Sequence, residues 1–150
     1  MKLAEALLLR ADLKKKLASL RERIGRNVML QEGEEPKEKV EDLLAEATSA
    51  LQEQQQLVRR INAANEATKL ADGRLLADVL GERDTLIARH SLLVVTIAAT
   101  HKDVDRYSQR EIKWVLQVNV ASLQKQADDL SRKIREVNVT VQAANWQIDI

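Results

Sequence analysis

Leu3, Ala6, Arg10, Leu13, Leu17, Leu20 and Ile24 are spaced alternately by three and four residues. On a helix of 3.6 residues per turn they form one stripe whose single polar member is Arg10. The spacing predicts a first helix over about residues 2–26. The stretch "NVMLQEGEEP" then carries Gly33 and Pro36, and proline suits the first turn of a helix because no amide there needs an intrahelical partner. A second helix is expected to begin near Pro36. Its stripe is Val40, Leu43 or Leu44, Ala47, Leu51, Gln54, Leu57 or Val58, Ile61, Ala64 and Thr68, with a glycine stop in "ADG" at 71–73. Such a helix has about 35 residues and a length of roughly 50 Å.

A third helix over about 75–100 has Leu76, Val79, Arg83, Leu86, His90, Leu93 and Ile97 along its seam, and its second half is apolar on nearly every side. The fourth carries Leu123, Ala127, Leu130, Ile134, Val137, Val141, Ala144 and Ile148 at unbroken four-and-three spacing, behind Asn119 as N-cap. Between them, Ile112, Trp114, Leu116, Val118 and Val120 alternate with Glu111, Lys113, Val115, Gln117 and Asn119, a period of two. This reads as a strand that pairs with "NVMLQ" at 27–31 or with its counterpart in a second copy. The other reading is a β-like connector whose Trp114 covers helix ends. The expectation is an all-α fold of long antiparallel helices, bundle-like or coiled-coil-like. A small β element near residues 27–31 and 111–118 accompanies them, in a single domain spanning 1–150.

The chain's 24 basic and 23 acidic residues create no net field that would draw in nucleic acid or an anionic membrane. Cysteine is absent, which removes disulfide scaffolds, thiolate nucleophiles and sulfur-ligated metals and fits a reducing compartment, so the cytoplasm is the expected location. The apolar start "MKLAEALLLRADLKKK" is broken by Glu5, Arg10 and Asp12, unlike an export signal. The uncharged stretch from His90 to His101 is well short of the roughly 20 apolar residues of a membrane span.

Candidate chemistry is sparse. His90 and His101 are the two histidines and lack the company a metal site requires. His90, on the third seam, reads as a hydrogen-bonded interface histidine. Gly25, Gly33, Gly73 and Gly81 stand singly, so no glycine-rich loop cradles phosphate, and no strand-turn-helix serine motif is present. Neither a catalytic constellation nor a cofactor is therefore expected. Arg10, Lys14, Lys15, Lys16, Arg21, Arg23 and Arg26 make the first helix basic and offer a route to nucleic acid, opposed by the acidic "EGEEPKEKVED" that can neutralise them.

Arg10, Gln54 and Arg83 interrupt apolar seams, where unpaired burial would cost several kcal/mol. Each calls for a partner, with Asp84, Asn62 and Asn65 available, or for a seam that reaches the surface at that point. Polar interruptions of this kind set register and copy number in helical assemblies. A symmetric homo-oligomer is expected, with His90, Arg110, Trp114 and Trp146 as further candidate interface residues.

Taken in order, "MKLAEALLLRADL", "LRERIGRNVMLQEGEEP", "INAANEATKLADGRLLADVLGERD", "RYSQREIKWVLQVNVASLQKQADDL" and "QAANWQ" resemble a family of small uncharacterised bacterial proteins that has been given the name septicolysin. The resemblance implies a helical subunit with a small β element in a closed homo-oligomer such as a hexamer, with no assigned activity and no catalytic residues. The family's name implies a thiol-activated pore former, whereas this chain has no cysteine and no tryptophan-rich membrane loop. A membrane-active protein is the alternative function, and nucleic-acid binding through the first helix a further one.

Overall fold

The computed structural model describes residues 1–101 and 113–150. Four helices dominate it: α1 (Leu3–Asn27), α2 (Val40–Ala67), α3 (Leu76–Ala98) and α4 (Val120–Gln147). The fold is all-α, as the periodicity predicts. The chain divides into two compact units, the first comprising Met1–Leu76 with Gln142–Ile150 and the second Ala77–Val141.

In the first unit α1 and α2 pack along each other. Most of their buried residues fall into rows of strict seven-residue spacing, Ala6, Leu13 and Leu20 on α1 and Leu43, Ala50 and Leu57 on α2, with Leu3, Ala4 and Ile61 buried beside them. A heptad row keeps facing one partner only if the helices coil gently about each other, so this is a short coiled coil. Lys16 bonds Glu46 at 3.0 Å, and Arg23 pairs with Glu38 nearer the connecting loop, so the α2 partner number falls as the α1 number rises. The two helices are therefore antiparallel.

The α1–α2 loop is pinned rather than strand-like. Asn27 donates its amide to the Arg23 carbonyl at 2.9 Å and accepts from the Glu38 N–H at 3.3 Å. Gly33 adopts φ +91, a left-handed conformation that costs glycine least. The expected strand at 27–31 does not form. Asn27 closes α1, the Val28 N–H still bonds the Ile24 carbonyl, and the exposed Met29 and Leu30 make no ladder. Pro36 lies in this loop, and α2 starts four residues after it.

At its other end α2 stops at Ala67, short of the expected glycine, because Thr68 turns to an extended conformation. Residues 68–76 form a tight hairpin in which the Leu76 N–H bonds the Thr68 carbonyl at 2.9 Å and the Leu70 N–H bonds the Arg74 carbonyl at 2.8 Å. Gly73, at φ +86, turns this hairpin rather than capping the helix. The two chain ends also meet. Leu3 and Ile150 donate backbone bonds to the Ile148 and Met1 carbonyls, both at 2.9 Å, and the Lys2 ammonium bonds Asp149 at 2.8 Å.

In the second unit α3 and α4 are joined by a 3.0 Å hydrogen bond between His90 Nε2 and Ser131 Oγ. Asn119 caps α4, its side-chain oxygen accepting from the Ser122 N–H at 3.0 Å and its carbonyl from the Leu123 N–H at 3.1 Å. The α4 seam appears as expected, with Ala127, Leu130, Val141 and Ala144 buried. Residues 113–118 run without strand pairing, so the second half of the expected β element does not form among the described residues. Its first residues, 111 and 112, lie outside them.

Candidate functional site

The α1–α2 pairing uses only one side of α2. The row turned to α1 runs through Leu43, Ala50 and Leu57, while Leu44 and Leu51 stand 51% and 53% exposed beside it. The expected seam ran through Leu51; the observed one runs through Ala50, whose small side chain lets the helices approach closely. α2 thus carries two adjacent apolar rows, one used and one open.

This surplus is general. Among the described residues fifteen hydrophobic side chains are buried, five of them alanines, whereas eighteen large hydrophobic ones are exposed. The exposed set includes Leu8 on α1, Leu92, Val94 and Val95 on α3, and Trp114, Val115 and Leu116 in the segment before α4. Single exposed leucines need no explanation, but an excess over the buried core does.

The polar interruptions resolve individually rather than as one site. Arg10 is exposed on α1 and Gln54 half-buried on α2, so no buried charge is left needing compensation there. Asn62 is exposed and Asn65 half-buried. Arg83 pairs with its neighbour Asp84 at 3.0 Å, fulfilling one of the expected partnerships through sequence adjacency. His90 is the half-buried hydrogen-bonded histidine the seam suggested. Trp114 is 72% exposed and Trp146 55% exposed. Arg110 lies outside the described residues.

Three concavities accompany these surfaces. In the first unit a cleft of about 500 Å³ lies between the end of α1 and its loop, lined by Arg23, Arg26, Asn27, Leu30, Glu34, Glu35, Lys37 and Glu38. Both of its arginines are engaged by carboxylates. Arg23 Nε bonds Glu38 at 2.9 Å and a second guanidinium nitrogen completes the fork, while Arg26 pairs with Glu22. The fork raises the Arg23 pKa and holds the Glu38 carboxyl below the usual carboxylate range. Asp72, bonded by Arg74, and Asp149, bonded by Lys2, are lowered for the same reason. Each shift strengthens the charged form and moves the group away from neutral pH, opposite to the tuning of a general acid or base.

A shallower groove in the same unit lies among Ala4, Leu7, Leu8, Gln142, Asn145 and Trp146. In the second unit Trp114, Val115, Leu116, Gln117 and Val118 run beside Thr96, Ala99 and Thr100 around an apolar pocket of about 370 Å³. Among the described residues no cluster of three metal-ligating side chains occurs. No helix there is long and apolar enough to cross a membrane.

These features define an all-α protein of long helices with a coiled-coil pair and open apolar rows. The chain belongs to the family of unknown function DUF6847, which matches residues 10–150. It is similar over 98% of its length, and 96% of the other chain, to a functionally unknown conserved protein from Corynebacterium diphtheriae known from its crystal structure, at 33% identity and a TM-score of 0.87. No protein of curated function matches it. The uncharacterised family implied by the sequence resemblance is thus supported, but neither match carries the name septicolysin.

Proposed function

We propose that the chain is a non-enzymatic, cytoplasmic structural or interaction protein that assembles with copies of itself. The observation that carries this reading is the number of large hydrophobic side chains left exposed among the described residues, on helices already half-engaged within the chain and on the segments that join them. Homo-oligomers cover such surfaces with the same patch of another subunit, and apolar area buried this way contributes about 25 cal/mol per Å². A closed assembly such as a hexamer would satisfy every copy equally.

The basic character of α1 does not redirect the reading toward nucleic acid. Lys15 pairs with Asp12, Lys16 with Glu46, Arg23 with Glu38 and Arg26 with Glu22, so much of that charge is neutralised within the chain. Light scattering coupled to size exclusion tests the proposal. A mass several times that of one chain at micromolar concentration is expected, and a heat-stable monomer would overturn it. Dye release from cholesterol-containing liposomes tests the membrane-active alternative in the same preparation, and no release is expected.

A further inference from the structure

The open row of α2 is nearly symmetric about its own middle, and that symmetry identifies what covers it. Leu44 and Leu51, both exposed, and Val58, half-buried, are seven residues apart and lie within about 20° of one line along the helix. This line is roughly 100° around the helix from the α1-facing row, so both rows can be occupied at once. Thr48, between Leu44 and Leu51, donates its hydroxyl to the Leu44 carbonyl at 2.8 Å, so covering it strands no donor. Glu41 and Arg59 are exposed and flank the open row on the same side, away from α1, one at each end and equally far from residue 50.

The geometry points to a second copy of this chain as the occupant, with α2 packed antiparallel on α2 of the partner about a twofold axis near Leu51. In that arrangement Leu51 meets its own counterpart and each Leu44 meets a Val58. In antiparallel pairs like flanks oppose each other, so Glu41 of one copy faces Arg59 of the other twice over. A parallel pair would set each flank against the opposite flank of the partner, so the charges of the two copies would lie on opposite sides of the seam and neither Glu41 nor Arg59 would meet its complement. The inference deepens the self-assembly reading and rests on it, adding a surface, an axis and a direction.

Because the chain has no cysteine, single substitutions report on this axis without background. A disulfide needs Cα atoms within about 7 Å. Leu51→Cys is expected to give a cross-linked dimer under mild oxidation. Leu44→Cys alone is not, because its two copies would lie about 21 Å apart along the paired helices. Mixing Leu44→Cys with Val58→Cys protein should yield the mixed dimer. Glu41→Lys should weaken association roughly fivefold, and adding Arg59→Glu to it should restore association. Assembly that persists without a Leu51→Cys cross-link, or cross-linking by Leu44→Cys as readily as by Leu51→Cys, overturns this pairing while leaving self-assembly standing. Unmodified protein that is monomeric at micromolar concentration overturns both.

Discussion

Leu20 tests whether the heptad rows hold the first unit together. Its side chain is fully buried on α1, at the end of the row begun by Ala6 and Leu13. Leu20→Ala deletes three carbons, and at about 0.8 kcal/mol per buried methylene the lost transfer free energy is about 2.4 kcal/mol. A rigid two-helix seam closes poorly over the void, so the full cost should reach about 3–4 kcal/mol, within the range for buried leucines. For a chain of this size that corresponds to a fall in Tm of about 6–16 °C. Leu8→Ala removes the same atoms from the same helix at a position 61% exposed, and should cost less than about 1 kcal/mol. Urea unfolding followed by far-ultraviolet circular dichroism measures both variants. Several protein concentrations are needed, because assembly adds a concentration-dependent part to stability. Equal losses from the two substitutions, or a Leu20→Ala loss below about 1 kcal/mol, would refute the assignment of the seam.

Gly73→Ala should destabilise by about 1–2 kcal/mol because its φ is positive, whereas Gly25→Ala, inside α1 with open space where a Cβ would sit, should stabilise by about 0.5–1 kcal/mol; thermal melts distinguish the signs. Asn119→Ala should cost about 0.5–2 kcal/mol and Asn119→Asp much less, since aspartate can also cap α4, and the same melts show it. Ser131→Ala should cost about 1 kcal/mol by removing the bond to His90, and a double-mutant cycle with His90→Ala checks that the two effects are not additive. The Glu38 pKa is depressed in the fold, chiefly by the hydrogen bond from Arg23, so its contribution to stability is full above the ordinary carboxylate range and is lost as pH falls through the lowered folded value. Glu38→Gln should therefore lower Tm near neutral pH, and the gap from the unmodified protein should close in acid.

The four helices were legible because their three-and-four spacing is long and repeated, and a seam of 23 to 28 residues tolerates an error of a turn at either end. What misled was chemistry at the ends. Pro36 and Gly73 are common helix boundary residues, yet the loop after α1 is set by Asn27 and by the Arg23–Glu38 pair, and α2 ends where Thr68 enters a hairpin. Those are contacts between residues up to fifteen positions apart, which local composition does not encode. The predicted strand pairing at 27–31 failed for a related reason. Asn27 was already committed to the helix, and the residues after it span a loop whose backbone is held by its own turns and side chains.

The surfaces were harder to read than the helices because periodicity finds apolar rows without saying which row is used. On α2 two rows lie side by side; the sequence leaves Leu43 or Leu44 and Leu57 or Val58 open and favours the bulkier Leu51 over Ala50. In the structure the α1-facing row takes Leu43, Ala50 and Leu57, so at that one position alanine is buried and Leu51 is left exposed. Of the polar interruptions, Arg10 is exposed on α1 and Gln54 half-buried on α2, so both reach solvent without a buried partner. A large apolar side chain such as Leu51, left uncovered beside the α1-facing row, is a stronger sign of a missing partner than any polar residue within the seam. The outer face of α2 is therefore the place to test for a partner, and a partner bound there would decide which of the remaining apolar surfaces stay open.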